Sequence, residues 1–350
     1  MALAETMSFM TGILPVLVRR NCMSITSVKP LITVAGASSK QGRSVATTLL
    51  ASGRYRVRAL SRHAGSAPMR QLAALGAEVV VVPLELGRQG ELTAALRGSH
   101  GAYLMTPPTK PVQPPDQPEL ALGYELADAA QAAGVQHVVW SGLENVDMRT
   151  ASALWVPHFT EKALVEDYIR TLPMRSSFIH LAFFYSNILE YYVPHRRADG
   201  SLTIAIYLPP DIPMPFVDPL TATGPAVLEM FDHPETYAGR SLPVIGEVLT
   251  ARQMVDTFVR VTGQKAHYAS AYAREELLRH FPSFGQDDYL VRELVGMTQY
   301  AVEYGYYAPG RDLGWSRKVD PAALTWEKFL RRSRWQGEKV SYGVAPSALE

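Results

Sequence analysis

Between residues 31 and 140, short apolar runs alternate with helix-like segments, and no other feature of the sequence constrains the fold as strongly. The apolar runs suit strands that are buried on both faces of a parallel sheet. Each helix-like segment ends at a glycine, a common residue at helix C-termini. The strand-like runs are 31–35, 55–60, 78–82, 102–105 and 137–140, and the helix-like segments are 41–52, 69–75, 92–96 and 120–133. This order predicts an α/β fold with a doubly wound parallel sheet.

Prolines cluster where this alternation stops. One cluster follows Thr106, and a second, between Pro209 and Pro219, precedes the C-terminal third. Beyond the second cluster we predict a smaller mixed part with helices over 221–231, 251–261 and 274–281. The predicted organisation is a flexible leader (1–30), a first domain (31–208), a smaller second part that would bind substrate (209–335) and a tail (336–350).

The charge balance and the cysteine count exclude several classes of protein. With 34 basic and 33 acidic residues the net charge is +1, which gives no electrostatic footprint for nucleic acid or for an anionic membrane surface. No run approaches the ~18 apolar residues of a transmembrane helix. Cys22 alone cannot form a disulfide framework or a cysteine-rich zinc site, and the nine histidines show no ligand spacing, so we expect no metal. We expect a reducing, cytoplasmic location.

Basic residues in the leader raise the question of a targeting segment. Arg19, Arg20 and Lys29 do not recur at helical spacing. We therefore interpret the first thirty residues as an unstructured leader, or as the product of an upstream start codon with Met23 as the alternative start, in preference to a mitochondrial presequence.

A glycine-rich turn, Gly36-Ala-Ser-Ser39-Lys-Gln-Gly42, joins the first strand-like run to the first helix-like segment. A dinucleotide pyrophosphate needs a tight glycine turn, close backbone approach and the amide groups at the start of the following helix. The position between a buried strand and a helix favours a cofactor-binding role, the alternative being a tight turn without a ligand. The candidate phosphate-binding residues are Gly36, Ser38, Ser39, Lys40, Gln41 and Gly42.

The end of the second strand-like run predicts which dinucleotide binds. An NAD-binding site offers Asp or Glu there, whereas this chain reads Ser61-Arg62-His63. A guanidinium pairs with the 2′-phosphate that a carboxylate would repel. We therefore predict NADP(H), with Arg62 as the principal contact and Lys40 as a helper. The alternative is a solvated surface arginine.

Several longer motifs resemble the NmrA-like branch of the atypical short-chain dehydrogenases. They are the glycine-rich turn, Val57-Arg-Ala-Leu-Ser-Arg62, Leu75-Gly-Ala-Glu-Val-Val80, Gly101-Ala-Tyr-Leu-Met-Thr-Pro-Pro108, Val138-Val-Trp-Ser-Gly-Leu-Glu-Asn145 and His158-Phe-Thr-Glu-Lys162. The motifs occur in the same order as in the family, and the similarity extends from about residue 31 to about residue 335. This branch includes fungal and bacterial biosynthetic oxidoreductases and an NADPH sensor, so the resemblance implies a Rossmann fold and NADP(H).

The resemblance also implies roles for single residues. Thr106 and Pro107 would line the nicotinamide side of the cofactor, and Asn187 would border the nicotinamide. Lys162 would reach the nicotinamide ribose or the substrate.

The sequence departs from the family pattern at two places. Ser39 stands where the family often has glycine, and its small side chain preserves the approach of a phosphate. Val82-Pro83 replaces a Gly-Asp pair, which removes one expected contact near the adenine.

His158-x-x-x-Lys162 occupies the slot in which short-chain dehydrogenases carry Tyr-x-x-x-Lys. Residues four apart share one helix face, so both side chains can point toward the nicotinamide. Histidine titrates near neutrality and can act as a general acid, and Lys162 can do the same beside a bound cofactor. The alternatives are that His158 only caps or orients the helix and that Lys162 only anchors the ribose. Ser141 is a weaker candidate for a substrate contact and is more simply interpreted as a loop residue.

These observations lead to two hypotheses of function. The favoured one is an NADP(H)-dependent oxidoreductase that reduces a C=O, C=C or C=N group of a mid-sized secondary metabolite. The alternative is a non-catalytic NADP(H)-binding redox sensor that acts through a protein partner. The His158/Lys162 pair favours the enzyme, whose expected partners are a small-molecule substrate and a second copy of the chain in a homodimer. The late tyrosines are interpreted as core residues, with an aromatic substrate pocket as the alternative: Tyr289, Tyr304, Tyr306 and Tyr307.

Overall fold

The computed structural model describes residues 28–110 and 116–343. The strands are β1 (Leu31–Val34), β2 (Arg56–Ser61), β3 (Glu78–Val81), β4 (Gly101–Leu104), β5 (His137–Gly142), β6 (Arg175–Leu181), β7 (Phe183–Phe184), β8 (His195–Arg196), β9 (Leu202–Ile206), β10 (Met214–Val217), β11 (Ser241–Val244), β12 (Glu247–Leu249) and β13 (Ala266–Ser270). The helices are α1 (Lys40–Ser52), α2 (Ala67–Ala74), α3 (Gln89–Leu96), α4 (Pro118–Ala132), α5 (Val146–Thr150), α6 (Pro157–Thr171), α7 (Ser186–Glu190), α8 (Pro219–Asp232), α9 (Pro234–Tyr237), α10 (Ala251–Thr262), α11 (Arg274–His280), α12 (Asp288–Tyr304), α13 (Trp315–Val319) and α14 (Trp326–Ser333).

Seven parallel strands form the central sheet, in the order β11-β6-β5-β4-β1-β2-β3. The chain runs outward from β1 to β3 and then returns to place β4 on the other side of β1. In open α/β sheets the crevice at such a reversal, outside the carboxyl ends of the strands, is where ligands bind. The prediction of an α/β fold with a doubly wound parallel sheet is confirmed.

Apolar side chains cover both faces of the sheet, as the continuous apolar runs predicted. On one face, Ile32 and Val34 pack with α1, α2 and α8. On the other face, Leu104 and Trp140 pack with α3, α4 and α6. All four residues of β1 are buried. The strand is therefore held from both sides, which fixes the position of the turn that follows it.

Both predicted parts of the chain contribute to the central sheet and to the helices that pack on it. The seventh strand, Ser241–Val244, pairs with β6, although it lies beyond residue 208. Helix α8 approaches α1 closely, because Gly224 has no side chain and its N–H donates to Ser44 Oγ at 2.8 Å. A Cβ at Gly224 would lie 2.3 Å from the Ser44 carbonyl oxygen. The division of the chain at residues 208 and 209 stays a prediction.

Two further three-stranded sheets, β12-β10-β7 and β13-β9-β8, combine strands from both sides of residue 208 around an aromatic core. Tyr306 is buried and donates to the Leu181 carbonyl, and Tyr307 donates to the His180 carbonyl. These two tyrosines therefore tie the C-terminal part to the end of β6. The structure places Tyr306 in the packed interior and Tyr307 partly buried against it, whereas Tyr304 is 39% exposed.

Residues 336–343 of the predicted tail pack against the body of the protein. Val340 N–H donates to the Leu189 carbonyl, and Tyr342 is buried with its hydroxyl 3.0 Å from Asp218. Residues 344–350, and all of the predicted leader except residues 28–30, lie outside the described residues. Within the described ranges, no helix combines the length and the apolar character needed to cross a bilayer.

Candidate functional site

The glycine-rich turn brings the start of α1 to the carboxyl end of β1. Gly36 has a φ of +62°, a conformation that glycine adopts without strain. A Cβ at Gly42 would lie 2.2 Å from the Gly36 carbonyl oxygen, so the turn can close only around a glycine there. Ser39 caps α1 by accepting a hydrogen bond from Gly42 N–H at 3.0 Å. This contact gives a local reason for serine at the middle position of the motif.

The end of β2 lies beside this turn. Ser61 Oγ is 3.4 Å from the hydroxyl of the exposed Ser38, and Ala37 N–H donates to the Leu60 carbonyl. Arg62, the next residue after β2, is exposed and has no ion-pair partner among the described residues. A guanidinium in this place is free to pair with an anion. Its role with a 2′-phosphate stays a prediction.

Lys40 is not free in this structure. Its ammonium lies 2.9 Å from the carboxylate of Glu190, at the end of α7. The Glu190 carboxylate also accepts a hydrogen bond from Tyr342 N–H at 2.9 Å. Sequence reasoning missed Glu190, since it lies 150 residues from Lys40. A phosphate that uses Lys40 has to compete with this carboxylate.

Gln41 links α1 to two strands of the sheet. Its side-chain oxygen accepts from the Tyr103 hydroxyl at 2.7 Å and from Ser141 Oγ at 2.8 Å. Ser141 is buried in β5, so its hydroxyl is used within the protein. This arrangement agrees with the simpler, structural interpretation of Ser141, although that residue lies in a strand and not in a loop.

Lys162 and Thr106 meet at the carboxyl end of β4. The Lys162 ammonium donates to the Thr106 carbonyl at 3.0 Å, to Thr106 Oγ1 at 2.8 Å and to the carboxylate of Glu119. Thr106 Oγ1 in turn donates to Glu119 at 2.7 Å. An ammonium has three hydrogens, and all three are engaged here. Glu119, 2% exposed at the start of α4, was missed by sequence reasoning.

His158 also has a carboxylate partner that the sequence did not reveal. Glu293 on α12 accepts from His158 N–H at 3.0 Å, and its Oε1 lies 2.7 Å from the ring Nδ1. Burial alone would raise the pKa of the Glu293 carboxyl, but the hydrogen bonds and charge of His158 outweigh it and lower that pKa. The imidazole is therefore fixed by an ionised carboxylate. The other ring nitrogen, Nε2, has no hydrogen-bond partner among the described residues.

A third carboxyl group, that of Glu161, belongs to the same helix as His158 and Lys162, α6. Glu161 is buried and accepts from Leu120 N–H at 2.9 Å, which caps the amino end of α4. Burial raises the pKa of the Glu161 carboxyl to about 7, with a smaller contribution from the neighbouring Glu119 and Glu293. A glutamate inside the His158-x-x-x-Lys162 motif was visible in the sequence. Its place against α4 was not.

The remaining predicted nicotinamide contacts lie at the ends of neighbouring strands. Pro107 is half-buried and follows Thr106 directly. Asn187 is half-buried in α7, after the short strand β7, and its carbonyl accepts from the N–H groups of Tyr191 and Tyr192. Its side chain has no partner among the described residues. Their roles toward a nicotinamide stay predictions.

A buried cluster of charged side chains lies next to the site and is separate from it. His180, at the end of β6, lies between Glu166 at 2.8 Å and Glu144 at 3.5 Å. Arg311 pairs with Glu144 at 2.8 Å and so holds the C-terminal part against the sheet. Burial opposes charge on the imidazole, but the two carboxylates prevail and raise the pKa of His180 to about 8. Across residues 28–110 and 116–343, no three His, Cys, Asp or Glu side chains are arranged to hold a metal ion.

The parallel sheet, its reversal of strand order and the glycine turn before α1 together define a Rossmann fold of the short-chain dehydrogenase type. Comparison with protein families agrees, because the model of the NmrA-like family matches residues 28–330. The NmrA-like family domain-containing oxidoreductase hkm9 of Aspergillus hancockii is 30% identical over 284 residues, which cover 77% of this chain and 82% of that protein. The chain belongs to the NmrA-like family.

Solved structures share the fold at low sequence identity. The NADPH-dependent quinone oxidoreductase QOR2 of Escherichia coli, solved with NADPH, superposes with a TM-score of 0.69 at 17% identity, over 87% of this chain and 100% of that one. NmrA, a negative transcriptional regulator solved in complex with NADP, superposes with a TM-score of 0.67 at 23% identity, over 87% of this chain and 94% of that one. The fold is therefore shared by an enzyme and by a regulator.

Proposed function

We propose that the protein is an NADP(H)-dependent oxidoreductase that reduces a C=O, C=C or C=N group of a mid-sized secondary metabolite. The observation that carries the proposal is the meeting of Lys162 with Thr106 at the carboxyl end of β4. That point lies where the strand order reverses, next to the turn after β1, and His158 lies one helical turn before Lys162 on α6. Ligand-binding backbone and proton-carrying side chains therefore converge on one edge of the sheet.

The residues at this edge fit the dinucleotide. A Cβ at Gly42 would clash with the Gly36 carbonyl oxygen, so glycine lets the turn close tightly before α1, as a pyrophosphate-binding turn requires. We assign the pyrophosphate to this turn, with Ser38 and Ser39, and the 2′-phosphate to the exposed Arg62. When bound, the cofactor supplies the hydride. The chain orients the ring and holds the proton that balances the reaction.

The nicotinamide end of the site is assigned to residues that follow β4 and β7. Thr106, Pro107 and Asn187 would border the ring, and Lys162 would hold the ribose beside it. Support comes from relatives that are named NmrA-like oxidoreductases and from the NADPH-dependent enzyme that shares the fold. No metal takes part in this proposal.

A turnover assay tests the proposal. Purified protein is mixed with NADPH and a panel of enones, ketones and imines, and absorbance is followed at the nicotinamide band. We expect consumption of NADPH with at least one compound, and a kcat/KM for NADPH lowered by roughly 10²-fold or more in Lys162→Ala, the range typical of a lost positioning group. Lys318→Ala is the matched control, because Lys318 is exposed and pairs with the exposed Asp312. An unchanged rate in Lys162→Ala would remove Lys162 from the site.

A redox sensor is the second candidate. The observation in its favour is that every hydrogen of the Lys162 ammonium is satisfied within the protein, as in a structural lysine. Such a sensor would bind NADP(H) and act through a protein partner. Tight binding of NADPH without turnover of any compound in the panel would support the sensor and contradict the enzyme.

A further inference from the structure

Two side chains on α6, His158 and Lys162, are candidates for the proton donor of the proposed reduction. We infer that His158 donates the proton and that Glu293 is its positioning residue, whereas Lys162 serves as an anchor. The inference rests on the proposed function for the reaction itself. The His158–Glu293 pair rests on geometry alone and can be tested without turnover.

Lys162 is poorly placed to give up a proton. Its three hydrogens are engaged by two oxygens of Thr106 and by the carboxylate of Glu119. The Glu119 side chain is only 3% exposed, so loss of the ammonium charge would leave a buried carboxylate without its cation. The contacts of Lys162 therefore hold the ends of the segment between β4 and α4 together.

In contrast to Lys162, His158 has one ring nitrogen without a hydrogen-bond partner among the described residues. One ring nitrogen, Nδ1, lies 2.7 Å from Glu293, and that carboxylate also accepts the backbone N–H of His158. An ionised carboxylate only accepts hydrogen bonds, so Nδ1 carries a hydrogen and donates it. The free nitrogen is then Nε2, which is available to face a substrate. A carboxylate on Nδ1 both orients an imidazole and stabilises its protonated form.

The charges around this pair come from three elements. Glu161 lies on α6 beside His158, Tyr289 lies one helical turn before Glu293 on α12, and Lys110 comes from the segment after β4. Lys110 also forms an ion pair with Asp287, at the start of α12. Carboxyl groups from two helices, Glu161 and Glu293, therefore lie near His158.

The proposed reduction consumes one hydride and one proton. For a ketone, the carbonyl carbon gains the hydride with its electron pair from the reduced nicotinamide, and the C=O π bond breaks. The Nε2–H bond of His158 breaks as its proton moves to the oxygen. The product is an alcohol, the cofactor is left oxidised, and the neutral imidazole recovers a proton from water. For C=C or C=N the proton goes to the neighbouring carbon or to nitrogen.

NMR of the ring N–H groups tests the His158–Glu293 pair without turnover. These signals are recorded for the labelled protein, and the signal lost in His158→Gln identifies His158. In Glu293→Gln we expect the His158 signal to shift or to be lost by exchange with water, because the ring N–H no longer donates to a carboxylate. Glu303→Gln is the control, since Glu303 is an exposed residue of the same helix that accepts a hydrogen bond from Gln299. An unchanged His158 signal in Glu293→Gln would overturn the positioning role.

Kinetics test the donor role. The donor has to be oriented toward the substrate, so kcat should fall in His158→Gln and in Glu293→Gln while KM for NADPH stays the same. Glu293→Asp, which keeps the carboxylate, should restore part of kcat. Lys162→Met should raise KM for NADPH instead. Wild-type kcat in His158→Gln, or a kcat that falls only in Lys162→Met, would overturn the assignment. If the wild type turned over no compound, the donor role would be rejected together with the enzyme, and the NMR measurement would still test the pair.

Discussion

The ammonium group of Lys40 lies 2.9 Å from the carboxylate of Glu190, at the start of the helix that follows the glycine-rich turn. The two side chains are 24% and 13% exposed, so the pair is only partly screened by water. A bound pyrophosphate would meet a lysine that is already neutralised. Glu190 is therefore a competitor of the cofactor for Lys40. No local sequence pattern indicates its position.

The first prediction concerns this competitor. Glu190→Gln should tighten the binding of NADP(H), because Lys40 loses its ionic partner while the amide oxygen still accepts from Tyr342 N–H. Partly exposed ion pairs contribute up to about 1 kcal/mol, so Kd should fall by as much as roughly fivefold. Fluorescence titration with NADPH measures it. The control is Glu235→Gln, an exposed residue that pairs with Arg175. Weaker binding in Glu190→Gln would show that the pair supports the site.

The second prediction concerns the choice of dinucleotide. Arg62→Ala should weaken NADPH binding by roughly tenfold or more and leave NADH binding unchanged, because a hydrogen bond between charged groups contributes about 1.5–3 kcal/mol. Titration of both cofactors against both proteins checks the ratio of the two Kd values. Arg88→Ala serves as the control, since Arg88 is a surface arginine that pairs with Glu91. Equal losses for NADPH and NADH would mean that Arg62 does not contact the 2′-phosphate.

The third prediction concerns the turn itself. Gly42→Ala would place a Cβ 2.2 Å from the Gly36 carbonyl oxygen, so the turn must open and NADPH binding should be lost by roughly 10²-fold or more, with a lowered Tm. Gly90→Ala is a close control. Gly90 lies near the start of α3 with open space around it, and alanine there should stabilise by about 0.4–1 kcal/mol. A Gly42→Ala protein that binds NADPH normally would exclude the turn as the phosphate site.

The fourth prediction concerns pH and stability. The pKa of His180 is raised to about 8 in the folded protein, above its ordinary value of 6.5. This group therefore stabilises the fold fully below pH 6.5, and its contribution is lost as the pH rises through about 8. Its loss should amount to about 2 kcal/mol, since one pKa unit corresponds to about 1.4 kcal/mol.

Denaturant unfolding of the wild type and of His180→Gln between pH 6 and pH 9 isolates this contribution. The wild type should lose more of its free energy of unfolding than the variant as the pH rises. His233→Gln, which changes an exposed histidine, should follow the wild type. Parallel curves for the wild type and His180→Gln would contradict a charged, buried His180.

The central sheet shows why part of the fold could be predicted. Strands β1 to β5 are apolar runs, and the helices between them end at glycines such as Gly53 and Gly134, so the local signals agree. The seventh strand, Ser241–Val244, gave no such signal. It contains Pro243, which an edge strand tolerates because one side has no partner strand. Its place depends on a long-range pairing with β6.

The candidate site divides in the same way. The glycine turn and the His158/Lys162 spacing are local, and both were read from the sequence. Their carboxylate partners are not local, since Glu119 lies 43 residues from Lys162 and Glu293 lies 135 residues from His158. Only folding brings these pairs together. Sequence patterns therefore predict the positions of His158 and Lys162 but not those of the carboxylates that pair with them.

Transfer of a labelled hydride tests the central claim most directly. The protein is incubated with NADPH deuterated at the hydride position, on either face of the ring, together with each compound of the panel, and products are analysed by mass spectrometry. We predict a product that carries one deuterium from one face only, formed by the wild type and strongly reduced in His158→Gln. Bound NADPH recovered with its label intact, and no reduced product from any compound, would contradict an oxidoreductase.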